Sequence, residues 1–267
     1  MRSTSHQAAL AAFLLVCSTV CAAQVAMAQP AIHFQDHADS PPGWIGQKQL
    51  ERGGPRPGYF QPVRVDAPKG STVALAEEGG FAPSNKNYAI AGMLIGQVYR
   101  LKVTGIDLHP GEEVYPTIEV IDRLYPPPGQ AARFPIPVEL TQEELEMALE
   151  GKYVMRVIYL EEPKNALPRP DEKTVQRYYE VTAGQDPLHE ADRLGRPVAI
   201  LRMGSRLPTQ EVVDGKFVYS NPPYIKYEEP PARVHRRDGI EPPIEWNPVQ
   251  GKKNYIIPRL PANQIRE

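Results

Sequence analysis

Apolar and polar residues alternate through the middle of the chain. Over residues 97–104, Tyr99, Leu101 and Val103 fall on one face and Arg100, Lys102 and Thr104 on the other, which predicts a half-buried strand. Residues 115–121 repeat the pattern, with Ile118 and Val120 opposite Thr117 and Glu119. Residues 134–140 predict a third strand. Pro135 and Pro137 share one parity there, and a proline cannot donate to a ladder, so this strand belongs at a sheet edge. Residues 152–160 are nearly all apolar and predict a central strand, with Arg156 as a buried charge in need of a carboxylate. Residues 178–182 and 198–203 complete the series.

Two helices interrupt it. Thr141 with Glu144 three positions on forms a capping box; Leu145, Ala148 and Leu149 make the buried stripe, and Gly151 ends the helix. A second short helix is expected over 187–194, with Asp186 as cap, Pro187 in the first turn, and Gly195 and Pro197 beyond its end. Turn signals recur between strands, at His109-Pro110-Gly111 and Pro126-Pro127-Pro128-Gly129. Together these predict a mainly β body over 91–205, an antiparallel β-sandwich, immunoglobulin-like or similar, with one or two short helices.

Composition sets the flanks apart. The chain has 267 residues with 30 prolines and 20 glycines. Eight prolines fall in residues 29–90, with short strand-like pieces at 59–65 and 72–76. Ten fall in residues 206–267. Proline fixes φ and lacks an amide donor, so both flanks read as extended Pro-rich arms lying outside the core or loosely against it. A net charge of −2 gives no basic stripe for nucleic acid.

The first 28 residues read as a signal peptide. Arg2 supplies a positive n-region, residues 8–20 an apolar run, and Ala26-Met27-Ala28 a small-x-small cleavage site. A membrane anchor needs about 20 apolar residues, and Ser18, Thr19 and Gln24 interrupt this run. A lipid-bearing cysteine normally follows a small residue, whereas Cys17 and Cys21 each follow a valine. Both cysteines leave with the signal, so thiol nucleophiles, thiolate zinc sites and disulfides are excluded from the mature chain. The destination is then the periplasm, the cell envelope or the extracellular medium, with no transmembrane segment after cleavage.

Candidate chemistry is sparse. Asp107, His109, Glu112 and Glu113 form the densest polar loop of the body, able in principle to hold a hard cation or ligand, although the spacing lacks the alternation of a dedicated cage. His33 and His37, beside Asp36 and Asp39, have a metal-like spacing without a third distant ligand. His189, Glu190 and Asp192 read as the wet face of a short helix. Ser205 is not in a Gly-x-Ser-x-Gly elbow, and no phosphate loop or dinucleotide fingerprint occurs. Nothing points to a cofactor. The C-terminal arm interleaves Phe217, Tyr219, Tyr224, Tyr227, Trp246 and Tyr255 with prolines. Tyr224 and Trp246 are the candidates for stacking on a sugar or on another chain, against the alternative that these aromatics staple the arm to the body.

The run from Ile95 to Ile106 (IGQVYRLKVTGI), the run from His109 to Val120 (HPGEEVYPTIEV), Tyr125-Pro126-Pro127-Pro128-Gly129 and the stretch from Phe134 to Leu160 resemble uncharacterised exported proteins of planctomycete-type bacteria. The resemblance covers roughly residues 59–205. It implies origin and export, and it brings no activity and no catalytic residue. The sequence therefore predicts a non-enzymatic exported protein, a cell-envelope or extracellular binding and assembly module whose partners are envelope proteins or glycans. The alternatives are an accessory carbohydrate-binding module using the Tyr and Trp faces, or a metal- or carboxylate-dependent hydrolase centred on residues 107–113.

Overall fold

A computed structural model describes residues 33, 35–77, 79–162, 178–208 and 215–228. The protein is mainly β. Among the described residues, ten strands form two sheets: β1 (Phe60–Asp66), β2 (Thr72–Glu77), β3 (Gly80–Phe81), β4 (Tyr88–Leu94), β5 (Val98–Thr104), β6 (Thr117–Val120), β7 (Ile136–Glu139), β8 (Val154–Glu161), β9 (Gly195–Met203) and β10 (Tyr224–Lys226). The α-helices among the described residues are α1 (Trp44–Glu51), α2 (Gln142–Leu149) and α3 (Pro187–Leu194).

The four-stranded sheet has the order β10-β4-β1-β7 and the six-stranded sheet β3-β2-β5-β6-β9-β8. All neighbours are antiparallel except β1 and β7, which run parallel from Val63 beside Ile136 to Asp66 beside Glu139. The inner faces of both sheets share one core. Val63, Val65, Met93, Ile136 and Val138 meet Val73, Leu75, Leu101, Ile118, Val120 and Leu201, joined by Leu145 and Ala148 of α2.

Strand positions follow the alternation closely. The capping box of α2 is present: Glu144 N–H donates to Thr141 Oγ1 at 3.2 Å, and Thr141 N–H donates to Glu144 Oε2 at 3.0 Å. Asp186 caps α3 by accepting from Leu188 N–H at 2.7 Å. β7 is an edge strand, and Arg156 pairs with Glu144 at 3.3 Å.

Several expectations need correction. β8 lies at the edge of its sheet, and β9 takes the inner place beside it, because the apolar side chains of β8 pack under helices. Residues 178–182 form no strand. The described parts of the arms are not external to the core. β1, β2 and the first three residues of β4 fall in the expected N-terminal arm and supply Val63, Val65, Val73 and Leu75 to the core, while β10 of the C-terminal arm extends the four-stranded sheet. A body starting at residue 91 therefore begins inside β4. Pro62 is accommodated because β7 pairs β1 only from Val63 onward.

The outer face of the six-stranded sheet is covered rather than wet. α1, α3 and Ala38 bury Ile121, Val157 and Ile200 over β6, β8 and β9. Phe217 and Val218 bury Ala76 and Tyr115 over the other half. α1 approaches so closely at Gly46 that a β-carbon there would lie 2.6 Å from the Gly96 Cα. Among the described residues, no helix is long and apolar enough to cross a membrane.

Candidate functional site

The polar loop between β5 and β6 resolves into separate local pairs. His109 Nδ1 lies 2.6 Å from Glu112 Oε2. Lys102 Nζ donates to Glu113 Oε1 at 3.2 Å, and the Tyr115 hydroxyl donates to the other oxygen of the same carboxylate. Asp107 is exposed and accepts from Leu108 N–H at 3.1 Å, folding its side chain onto its own turn. The four residues share a loop but do not converge on one point. Among the described residues, no three His, Cys, Asp or Glu side chains gather in a way that could hold a metal ion.

The structure brings together two clusters the sequence keeps some 150 positions apart. Asp186, His189 and Asp192 recur every three residues on one face of α3, and that face grips the backbone of the N-terminal segment. Asp192 Oδ2 accepts from His33 N–H at 2.7 Å, and Asp186 Oδ2 accepts from Ala38 N–H at 3.0 Å. His189 Nε2 lies 3.0 Å from both the His33 and Asp36 carbonyl oxygens. Carbonyls only accept, so this nitrogen carries the proton. His33 and Asp36 are each 2% exposed. His33 Nε2 faces the Gln49 amide at 2.8 Å, and Asp36 accepts from Arg52 at 2.7 Å. Burial raises the Asp192 pKa against the lowering effects of the His33 amide and the nearby His33 and His189 charges. The expected wet face of α3 is thus a clamp. Glu190 alone turns outward, to Arg193.

A second arrangement escaped the sequence reading. Thr117 of β6 pairs with Arg100 of β5 on one side and Arg202 of β9 on the other, so the three form one row on the outer face of the six-stranded sheet. All are buried, Arg100 at 5% and Arg202 at 4% exposure. Arg202 donates to Glu119 Oε2 at 2.8 Å and to the Ala38 carbonyl at 3.1 Å. Glu119, fully buried, uses its other oxygen to accept from Gly46 N–H at 3.0 Å, satisfying a donor in the first turn of α1. Arg100 donates to the Phe217 carbonyl at 2.8 Å and the Tyr115 carbonyl at 2.9 Å, and its guanidinium lies 4.3 Å from the centre of the Phe217 ring. Each arginine therefore fastens one arm by its backbone. Alternation placed Arg100, Thr117 and Glu119 on the solvent side of their strands. The available signal was a matched set of charges, Glu119 in β6 and Arg202 directly after the apolar run 198–201 of β9.

Beyond Phe217 the chain turns through Tyr219, Ser220 and Asn221, with φ of 53°, 58° and 49°. Three consecutive non-glycine residues in the left-handed region cost about 1–2 kcal/mol each, so the contacts around Arg100 hold a strained turn in place. Tyr224 is 4% exposed, belongs to the main core and donates its hydroxyl to Glu77 Oε1 at 3.0 Å. Its face is occupied by the body itself. Trp246, Tyr255 and the signal segment lie outside the described residues. No family model, curated protein or solved structure matches this chain.

Proposed function

We propose that this chain is a non-enzymatic exported protein, a binding and assembly module of the cell envelope or extracellular space. The observation that carries this reading is the way the arms are fastened. Ala38 and Phe217 are each held by a buried arginine of the same sheet face, and β10 anchors the C-terminal arm to β4 immediately before its longest proline-rich stretch. Such rooting fixes the described part of the C-terminal arm on the sheet. The sequence that follows is rich in prolines and aromatics, a composition suited to capture of a partner at low ordering cost.

Retention of the full chain on an immobilised envelope fraction, read by mass spectrometry beside a glycan array, tests it. The expected result is a specific envelope protein that is retained by wild type and lost with Trp246→Ala. A glycan signal without a protein partner would replace this reading with the carbohydrate-binding module. Silence in both, with turnover that a chelator abolishes, would replace it with the hydrolase.

A further inference from the structure

We infer that Arg123, lying over the rings of Tyr59 and Tyr125 in the loop that follows β6, binds a carboxylate on an acidic, extended segment of a protein partner. The inference rests on the binding-module reading and names the chemistry that the module recognises.

Arg52, Arg64, Arg156, Arg193, Arg196 and Arg202 each pair with a carboxylate. Arg100 has two carbonyl oxygens instead. Among the described residues, Arg123 has neither. Its guanidinium carbon lies 4.5 Å from the centre of the Tyr59 ring and 4.5 Å from that of Tyr125. Its Nε is buried with no hydrogen-bond partner. The adjacent carboxylate is engaged elsewhere: one oxygen of Asp122 accepts from the Arg123 backbone N–H at 2.7 Å, and the other pairs with Arg196. A guanidinium carries five N–H donors in one plane, and a buried donor left unmade costs more than a satisfied one gains. An incoming carboxylate supplies the missing acceptor.

The backbone around Arg123 is fixed while its side-chain donors stay open. The Arg123 carbonyl accepts from Arg196 at 3.0 Å, and Leu124 N–H donates to Oε1 of the buried Gln61 at 2.7 Å. Pro126, Pro127 and Pro128 follow Tyr125 and stiffen the rest of the loop. Such preorganisation lowers the ordering cost of binding. Access is through Tyr125, which is 67% exposed, so its ring can rotate aside without disturbing the core. The Arg196 guanidinium lies 5.3 Å from the centre of the same ring. Two arginines thus share Tyr125 while Asp122 balances one of them, which leaves a positive charge for an acidic segment to complement. A planar carboxylate matches a guanidinium edge through two parallel hydrogen bonds. The exposed tyrosine and prolines of the loop add the kind of surface on which extended peptides pack, which favours a peptide as the carrier.

The test titrates the full chain by calorimetry, at constant ionic strength, with a blocked peptide that alternates glutamate and proline. The same peptide with glutamine for glutamate, and an oligogalacturonate, are titrated beside it. Saturable binding of the glutamate peptide alone is expected. Arg123→Gln removes the cation, and Tyr125→Ala removes an exposed ring that the core does not need. Each should weaken binding about tenfold, the loss of one hydrogen bond to a charged group or of its aromatic support. No saturable binding of the glutamate peptide, equal binding of the glutamine peptide, or unchanged affinity in both variants overturns the site. Binding of oligogalacturonate in place of the peptide overturns the protein partner and makes the carrier an acidic glycan. Envelope capture that Arg123→Gln leaves intact would sink this inference and leave the binding module standing; peptide binding without envelope capture would do the reverse.

Discussion

Arg100 and Arg202 flank Thr117 in a single row across three strands, and each holds the backbone carbonyl of a different arm, Phe217 for the first and Ala38 for the second. The outer face of a sheet, ordinarily left to water in an antiparallel sandwich, is here an anchoring surface for both ends of the described chain.

The Arg202–Glu119 pair should be the more fragile half of this device. Glu119→Ala strands a buried guanidinium and removes the acceptor of Gly46 N–H, and removal of one partner of a buried pair costs about 3–5 kcal/mol. Glu119→Gln keeps an oxygen for Gly46 and should cost less. Urea unfolding midpoints of the two variants check the order; a loss below about 1 kcal/mol in Glu119→Ala would show that the pair contributes little.

Gly46→Ala sets two effects against each other. Helix propensity favours alanine by about 1 kcal/mol. The new β-carbon would lie 2.6 Å from the Gly96 Cα and 2.9 Å from the Val120 carbonyl oxygen, both backbone atoms that cannot step aside. Overpacking of this kind costs about 1–3 kcal/mol, so net destabilisation is expected, while Lys48→Ala on the exposed side of α1 should be nearly neutral. Thermal unfolding of both variants decides, and a stabilised Gly46→Ala would mean the helix can lift from the sheet.

The clamp on α3 predicts a pH dependence. Burial raises the Asp192 pKa above its unfolded value. For a group shifted upward, the stabilising contribution is fully present below the unfolded pKa and is lost as pH rises through the folded one. Asp192→Asn retains an oxygen for His33 N–H and removes the charge that burial disfavours. At pH 7 it should therefore match or exceed wild-type stability, and the difference should close as pH falls through the carboxylate range. Denaturant unfolding at several pH values checks this, and a variant less stable at pH 7 than at pH 4, relative to wild type, would reverse the sign.

Tyr99 links three elements through one hydroxyl, which accepts from Leu94 N–H and donates to the Pro223 carbonyl, each at 2.8 Å. Tyr99→Phe leaves both groups without this partner and should cost about 1–3 kcal/mol. Because Pro223 leads into β10, limited proteolysis should cut residues 215–228 faster in the variant, while cleavage within β5 and β6 stays unchanged.

The sequence by itself determined the local elements. Period-two alternation marked β5 and β6, the Thr141–Glu144 box marked α2, Asp186 and Pro187 marked α3, and paired prolines assigned β7 to an edge. These signals act within a few residues, where backbone geometry and side-chain period suffice. α1 and β4 went unread because their stability comes from tertiary contact: α1 begins at a left-handed Gly43 without a side-chain cap, and β4 carries Ala89, Ala91 and Gly92 in place of bulky β-formers. Only the tertiary structure decided which polar positions are buried. Alternation separates two faces of a strand but does not say what lies over each, so Arg100, Thr117 and Glu119 read as solvent-facing, whereas the described parts of both arms cover them. The same holds for His33, Asp36, Asp186, His189 and Asp192. Their spacing in the chain carries no sign of contact, and their pairing exists because α3 packs on the sheet beside the N-terminal segment, where burial obliges each exposed amide and carbonyl of that segment to find a partner.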